Sequence, residues 1–454
     1  MAVTDPDRSA MTRVQSASPI ARRKRFVARK KARAQRGDSR SADLWLMLLL
    51  LALSGNPVFV TPGVSRVFIP VLAVFFGVRV VKRKNRKHDY RVLPILGYFG
   101  IIIAVQAVHF MYFPAFTLLG LFCRFAVAYE LVALISDFPT AYVRALLLLA
   151  AMAMFFFFSN LAGSAVGINL ADATQHIALP VATNTGAWTF LLHSYSNNPS
   201  DTTRNAGMFW EPGAFAGYLN LALVILCLSR KRYTKRGFLM RFAILAVCLL
   251  TTQSTMGYVC FALVIFLVGI SGTTGKARLM SIAATLCFLT GFVAFALNQD
   301  FIIPKIEHSI LDATAQTGSW QADRLGSLIF DSAYISARPL TGWGINDATR
   351  LILDPDLQGN ALIGRGNGMS DFAAKFGVPA LLIWLYCLYR LFLTLSPGRR
   401  LPVIIGVVII LIALNDECFL NYPLFLSFFF LADLFRGHAV GARKPLKELA
   451  PCPQ

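Results

Sequence analysis

Apolar residues recur along the chain in runs of about 16 to 22, the length that spans the hydrocarbon core of a bilayer. Short polar or basic segments separate them. The pattern predicts twelve helical spans, at about 43–60, 63–81, 92–113, 115–136, 142–163, 212–229, 237–252, 255–272, 278–297, 370–391, 401–415 and 422–435. Two connections are too long to be turns, at about 164–210 and 298–369. Long connections in a compact protein usually carry function or are disordered. Aromatic and aliphatic residues such as Phe209, Trp210, Leu325, Phe330 and Tyr334 argue for folded structure in both. The expected fold class is an all-α polytopic membrane protein with two long outer loops.

Composition agrees. Of 454 residues, 56% are hydrophobic and 15% charged, against about 25% charged in soluble domains. The mean hydropathy of +0.58 excludes a disordered or collagen-like chain. The net charge of +21 would suggest nucleic acid on a soluble protein. Here the basic residues lie between apolar runs, where they set topology, and no nucleic-acid partner is expected. With the N-terminus inside, 35 of the 44 Lys and Arg fall on the cytoplasmic side and eight opposite, with Arg124 inside a span. Residues 1–42 then form a basic, disordered cytoplasmic tail. Residues 43–435 form the membrane domain, with loops 164–210 and 298–369 outside, and 436–454 a second cytoplasmic tail. The eight cysteines include no CxxC, and the histidines form no HxxxH or HExxH. Disulfides, a metal site and a cofactor are not expected.

Chemistry on the outer face needs a donor that is already activated and already in the membrane. A sugar on a polyprenyl diphosphate fits. Its site requires cations for the departing charge, a base for the acceptor hydroxyl and aromatic faces for sugar rings. The first loop ends Arg204-Asn-Ala-Gly-Met-Phe-Trp210-Glu211-Pro212. Glu211-Pro212 suits a helix start, and Glu211 is also the best candidate base. Arg204 offers the planar donor fork that matches phosphate oxygens. The second loop carries Arg324 and then Arg338-Pro-Leu-Thr-Gly342-Trp343-Gly344. Leu325, Ile329 and Tyr334 are spaced for a short amphipathic helix lying on the membrane. Gly-Trp-Gly reads as a turn that brings a backbone amide towards a ligand. At the loop exit, Ser370 or Asp371 suits a helix cap and Asn367 a sugar hydroxyl. Arg124 needs a partner on another helix, either a carboxylate or a lipid phosphate. His193 and His308 are further candidate bases, and Asp354-Pro-Asp356 has the spacing of a metal-binding DxD. That pattern is common, and it lies on the side without nucleotide sugars.

The run Arg204…Gly207…Phe209…Glu211-Pro212…Phe215-Ala216 resembles the segment before a central span in Wzy-type O-antigen and exopolysaccharide polymerases. The run Arg324…Arg338-Pro339-Leu340…Gly342…Gly344 is similar to the matching loop of these polymerases and of O-antigen ligases, and Asn367…Gly377 resembles their loop exit. The resemblance implies a GT-C-like, metal-independent glycosyltransferase at the outer face of the bacterial inner membrane, with both termini cytoplasmic. Its substrate would be an undecaprenyl-diphosphate-linked oligosaccharide. Membrane lipid, a chain-length regulator and a flippase would be its partners. By position, Arg204 and Arg324 match the arginines that engage diphosphate or glycan. With Glu211 they form the expected catalytic set, and Arg124, Trp210, Arg338, Trp343 and Asn367 the expected substrate contacts. The ligases carry a His-Asn pair at the loop exit, whereas Gly366 precedes Asn367 here. This favours a polymerase over a ligase that moves finished glycan to lipid A core or protein. A polysaccharide or lipid transporter or flippase is the remaining alternative.

Overall fold

The computed structural model describes residues 40–82, 92–166, 179–180, 188–189, 191–195, 204–272, 279–280, 282–283, 286–287, 290–291, 324–350, 367–415 and 417–441. Most of the basic tail, most of the expected span 278–297, His308, Asp354 to Asp356 and residues 442–454 lie outside the described residues. Arg324, Leu325 and Ile329 are described in backbone only.

The described chain is mostly helical. In order come α1 (40–55), α2 (Pro57–Val60), α3 (Pro62–Lys82), α4 (Val92–Phe110), α5 (Ala115–Leu134) and α6 (Phe138–Ala165). A small antiparallel hairpin sheet follows, from β1 (Leu179–Pro180), β2 (Trp188–Thr189) and β3 (Ser194–Tyr195). Next are α7 (Pro212–Leu228), α8 (Lys235–Thr251), α9 (Thr255–Gly272), α10 (Arg324–Ala337), α11 (Asp347–Arg350) and α12 (Gly368–Phe376). The chain closes with α13 (Val378–Leu395), α14 (Arg400–Leu414), α15 (Pro423–Leu426) and α16 (Phe428–Gly441). Among the described residues, five helices are long and apolar enough to cross a membrane: those over Gly63–Lys82, Leu93–Phe110, Ala115–Leu134, Phe138–Ala165 and Val378–Leu395. Those over Pro212–Leu228, Thr255–Ser271 and Arg400–Leu414 are shorter and also apolar.

Among the described residues, three expected spans are broken. The first stops at Asn56, whose side chain accepts a hydrogen bond from the Val58 amide at 3.1 Å, with Pro57 behind it. The span expected over 370–391 is two helices. Gly377, at φ +84°, separates α12 from α13, and Pro379 enters the first turn of α13. The last span divides at Ser427 into α15 and α16.

Every residue of α7 is buried. A helix apolar on all sides belongs at the centre of a bundle, and α6, α8, α9, α13 and α14 pack around it. By contrast α3 bares Val67, Val71, Val74 and Val81, and α5 bares Phe116, which is 91% exposed. A belt of uncovered aliphatic residues on a well-packed bundle is the surface that lipid tails solvate.

Hydrogen bonds sort the turns into two sets. Asn56 reaches Met208 O (3.1 Å) and Leu191 O (2.8 Å), Asn205 reaches Thr251 Oγ1 (2.9 Å), and Asn346 reaches Tyr112 Oη (3.2 Å). One end of the bundle therefore gathers the turns after α1, α4 and α8 with residues of both long loops. At the other ends of these helices, Asp43 accepts from the Ser136 amide (3.0 Å), and Arg232 pairs with Asp137 (2.9 Å). The described turns thus fall at two opposite ends of the bundle.

Candidate functional site

The first loop returns to the bundle through a short, tightly seated segment. The Asn205 amide N–H donates to Thr251 O (3.0 Å), and its side chain accepts from the Gly207 amide (2.9 Å). Gly207 sits at φ +55°, and a Cβ there would press into the Phe215 ring at 2.8 Å. Phe209 is buried and stacked on Phe215 (5.1 Å) and Tyr218 (4.4 Å). Glu211 occupies the N-cap position of α7, as its Pro neighbour suggests, but its carboxylate makes no capping hydrogen bond. Arg204 donates from Nε to Thr252 O at 3.3 Å and lies in electrostatic range of Tyr258. It therefore stands at the α8–α9 turn. Higher in the loop, His193 is buried between Phe156 (5.3 Å) and Tyr195 (4.6 Å). Burial pushes its imidazole down to about 3. His193 is a neutral packing residue, which corrects its candidacy as a base.

The second loop is held by α12. Helix α10 forms as its spacing predicts, but its buried side carries Ser327, Asp331 and Tyr334, and it packs on α12. It docks on protein, where the sequence suggested a membrane surface, because Asp331 finds partners there. Ser370 Oγ donates to Asp331 Oδ2 (2.7 Å), and Arg350 lies 3.8 Å from Asp331. Arg350 also pairs with Asp371, and Lys375 Nζ reaches Asp371 Oδ2 at 2.6 Å. Two carboxylates and two cations are thereby buried as a balanced group, the condition under which buried charge is tolerated.

The Arg338–Gly344 segment is a strap over the end of α12. The amides of Trp343 and Gly344 donate to Ala374 O (2.9 Å) and Lys375 O (3.0 Å), and Gln106 Nε2 also donates to Lys375 O (2.8 Å). These are the carbonyls that a helix end leaves unpaired. The Gly-Trp-Gly amides are thus spent on α12, which corrects the expectation that they meet a ligand. Trp343 is likewise committed. Its indole donates to Tyr334 O (2.8 Å) and its ring packs on Phe110 (5.8 Å). The Arg338 guanidinium covers Phe110 (4.7 Å) and Trp343 (5.5 Å). Asn367 is the N-cap of α12, in place of Ser370 or Asp371. It accepts from the Ser370 amide (3.1 Å) and donates to Asn415 Oδ1 (3.0 Å). Asn367 is buried, with its side-chain oxygen and nitrogen each in one hydrogen bond within the protein.

Both loop exits meet at the turn between α14 and α15, at residues 415 and 417–422, where the hydropathy pattern predicts only a short connection between two spans. Trp210 Nε1 donates to Glu417 Oε2 at 3.1 Å, and the indole lies against Phe419 (6.2 Å) and Tyr422 (5.1 Å). Gly368, the first residue of α12, is pressed so closely on this turn that a Cβ would lie 2.1 Å from Glu417 O. Burial first, and the Asp371 carboxylate second, push the Cys418 thiol up to about 12. Glu211 and Arg124 both lie in electrostatic range of the Tyr422 hydroxyl. Among the described residues, no carboxylate forms a salt bridge with Arg124. Trp210 thus meets both Glu417 and Tyr422, and Arg124 and Glu211 lie within electrostatic range of Tyr422. The structure sets Arg204 at the neighbouring α8–α9 turn, and Arg338 and Trp343 in the strap. The signal for the missed turn was the acidic pair Asp416-Glu417 followed by aromatic residues between two short spans.

A cation within a span, without a salt-bridged carboxylate among the described residues, lies within electrostatic range of a phenol and a carboxylate, and an indole packs on the same phenol, in a bundle with the makeup of an all-α membrane protein. This set can hold an anion, activate a hydroxyl and stack on a sugar. No protein-family model matches the chain and no curated protein matches it in sequence.

Proposed function

We propose that the chain is a polysaccharide polymerase of the Wzy type, a GT-C-like, metal-independent glycosyltransferase of twelve spans in the bacterial inner membrane. It transfers a growing glycan from undecaprenyl diphosphate to a hydroxyl of an incoming lipid-linked repeat unit at the outer face. One observation carries this reading: Arg124, inside an apolar helix, lacks a carboxylate partner among the described residues and lies within electrostatic range of Tyr422, as does Glu211. A guanidinium in a span costs about 2.5–3.5 kcal/mol on insertion scales. An anionic ligand in the membrane offsets that cost, and a diphosphate is such a ligand.

In this reading the bond between the sugar's anomeric carbon and the phosphate oxygen breaks, and the diphosphate leaves with the electron pair. Arg124 compensates the charge that develops, and Arg204 and Arg324 are the further outer cations proposed to engage diphosphate or glycan. The acceptor oxygen forms the new bond to the anomeric carbon, and its proton passes to Glu211. The exposed part of the Trp210 ring stacks on a sugar. No step calls on a metal.

Deleting the gene in the producing bacterium tests the reaction class. The expected phenotype is surface glycan limited to single repeat units. Accumulation of long lipid-linked chains would instead assign a ligase.

A further inference from the structure

Trp210 immediately precedes the proposed base, and a residue outside both long loops accepts its indole N–H. Glu417 lies 207 positions away in sequence, on the 415–422 turn, and its Oε2 accepts the indole N–H at 3.1 Å. A hydrogen bond to a carboxylate is about twice as strong as one between neutral groups. Glu417 is itself only 9% exposed, so its direction is set by the turn and by Gly368 pressed against its backbone. Phe419 and Tyr422 back the indole at 6.2 and 5.1 Å, with their planes tilted 50° and 43° from it. Neither is stacked flat on it, and the ring is half-buried. Trp210 also immediately precedes Glu211, whose backbone is extended (φ −157°, ψ 163°). Fixing the indole therefore fixes the stretch of chain that aims the Glu211 carboxylate.

We infer that Glu417 is a positioning residue that holds Trp210 as the stacking platform for the acceptor sugar. The inference rests on the carbohydrate reading of the site proposed above.

The test uses the full chain in lipid nanodiscs and a free, neutral repeat-unit oligosaccharide, with binding read by isothermal titration calorimetry. Glu417→Gln keeps an acceptor for the indole and should bind within about twofold of wild type. Glu417→Ala and Trp210→Phe each remove the bond, and each should weaken binding about tenfold, the scale of one charge-assisted hydrogen bond. Combining them should cost no more than either alone, because both delete the same interaction. Wild-type binding by Glu417→Ala, or losses that multiply in the double variant, would overturn the inference. If Glu417→Ala does not fold, Trp210→Phe decides alone, and unchanged binding by it would overturn the inference too. A protein that binds the oligosaccharide with this pattern but forms no polymer from lipid-linked units supports the platform and refutes the polymerase reading.

Discussion

At the scale of single residues, titratable groups in this chain divide by what surrounds them. Arg350, Lys375, Asp331 and Asp371 compensate one another and are buried without a ligand. Arg124 has no such neighbour among the described residues, and its cost is the strongest residue-level argument for a bound anion. His193 shows the opposite fate of a polar group, enclosed by rings and kept neutral. Its folded value of about 3 lies below the ordinary 6.5. Below pH 6.5 the unfolded chain therefore takes up a proton that the folded chain refuses. The stability due to neutral His193 is full above pH 6.5 and falls on acidification by about 1.4 kcal/mol per pH unit, until about pH 3. Thermal melting followed from pH 6.5 to 4.5 should show a slope shallower by one proton in His193→Phe, which keeps the ring packing. Equal slopes would show that His193 titrates normally in the folded state.

At the scale of elements, the long apolar runs were legible because a bilayer-length stretch without charge has few other uses. The bounds of α3 to α9 follow them closely. What the runs hid were the breaks. Hydropathy averages across Gly377, yet this glycine's φ of +84° ends α12, and a Cβ there would lie 2.3 Å from Leu340 O. The Gly-Val-Pro order was a local signal of that break. Its consequence, an α12 carrying a buried ion group, depends on Asp331 and Arg350 from far along the chain and could not be read locally. The same limit applies to Asn367 and Trp343, which suited a sugar by type and serve as a cap and a strap anchor by position. Glu211 and Arg124 were legible as oddities of charge, whereas Glu417 and Tyr422 drew no notice in a short turn. Gly377→Ala should cost at least about 2 kcal/mol, since it combines a disfavoured φ with a backbone clash. A lowered melting temperature in detergent would show this, and an unchanged one would mean that the strap shifts freely.

At the scale of the whole molecule, two segments far apart in sequence end at one turn. Trp210 of the first loop bonds Glu417, and Asn367 of the second bonds Asn415. A site assembled this way needs both loops seated before Arg124, Tyr422 and Glu211 can act on one ligand. The most direct test is chain growth in vitro, with purified protein in nanodiscs supplied only with an undecaprenyl-diphosphate-linked repeat unit and the products resolved by length. The account predicts a ladder of polymers with wild type. It predicts none with Arg124→Ala or Glu211→Gln, although both remain folded and inserted. A wild-type ladder from Arg124→Ala, or no ladder from the wild-type protein, would contradict it.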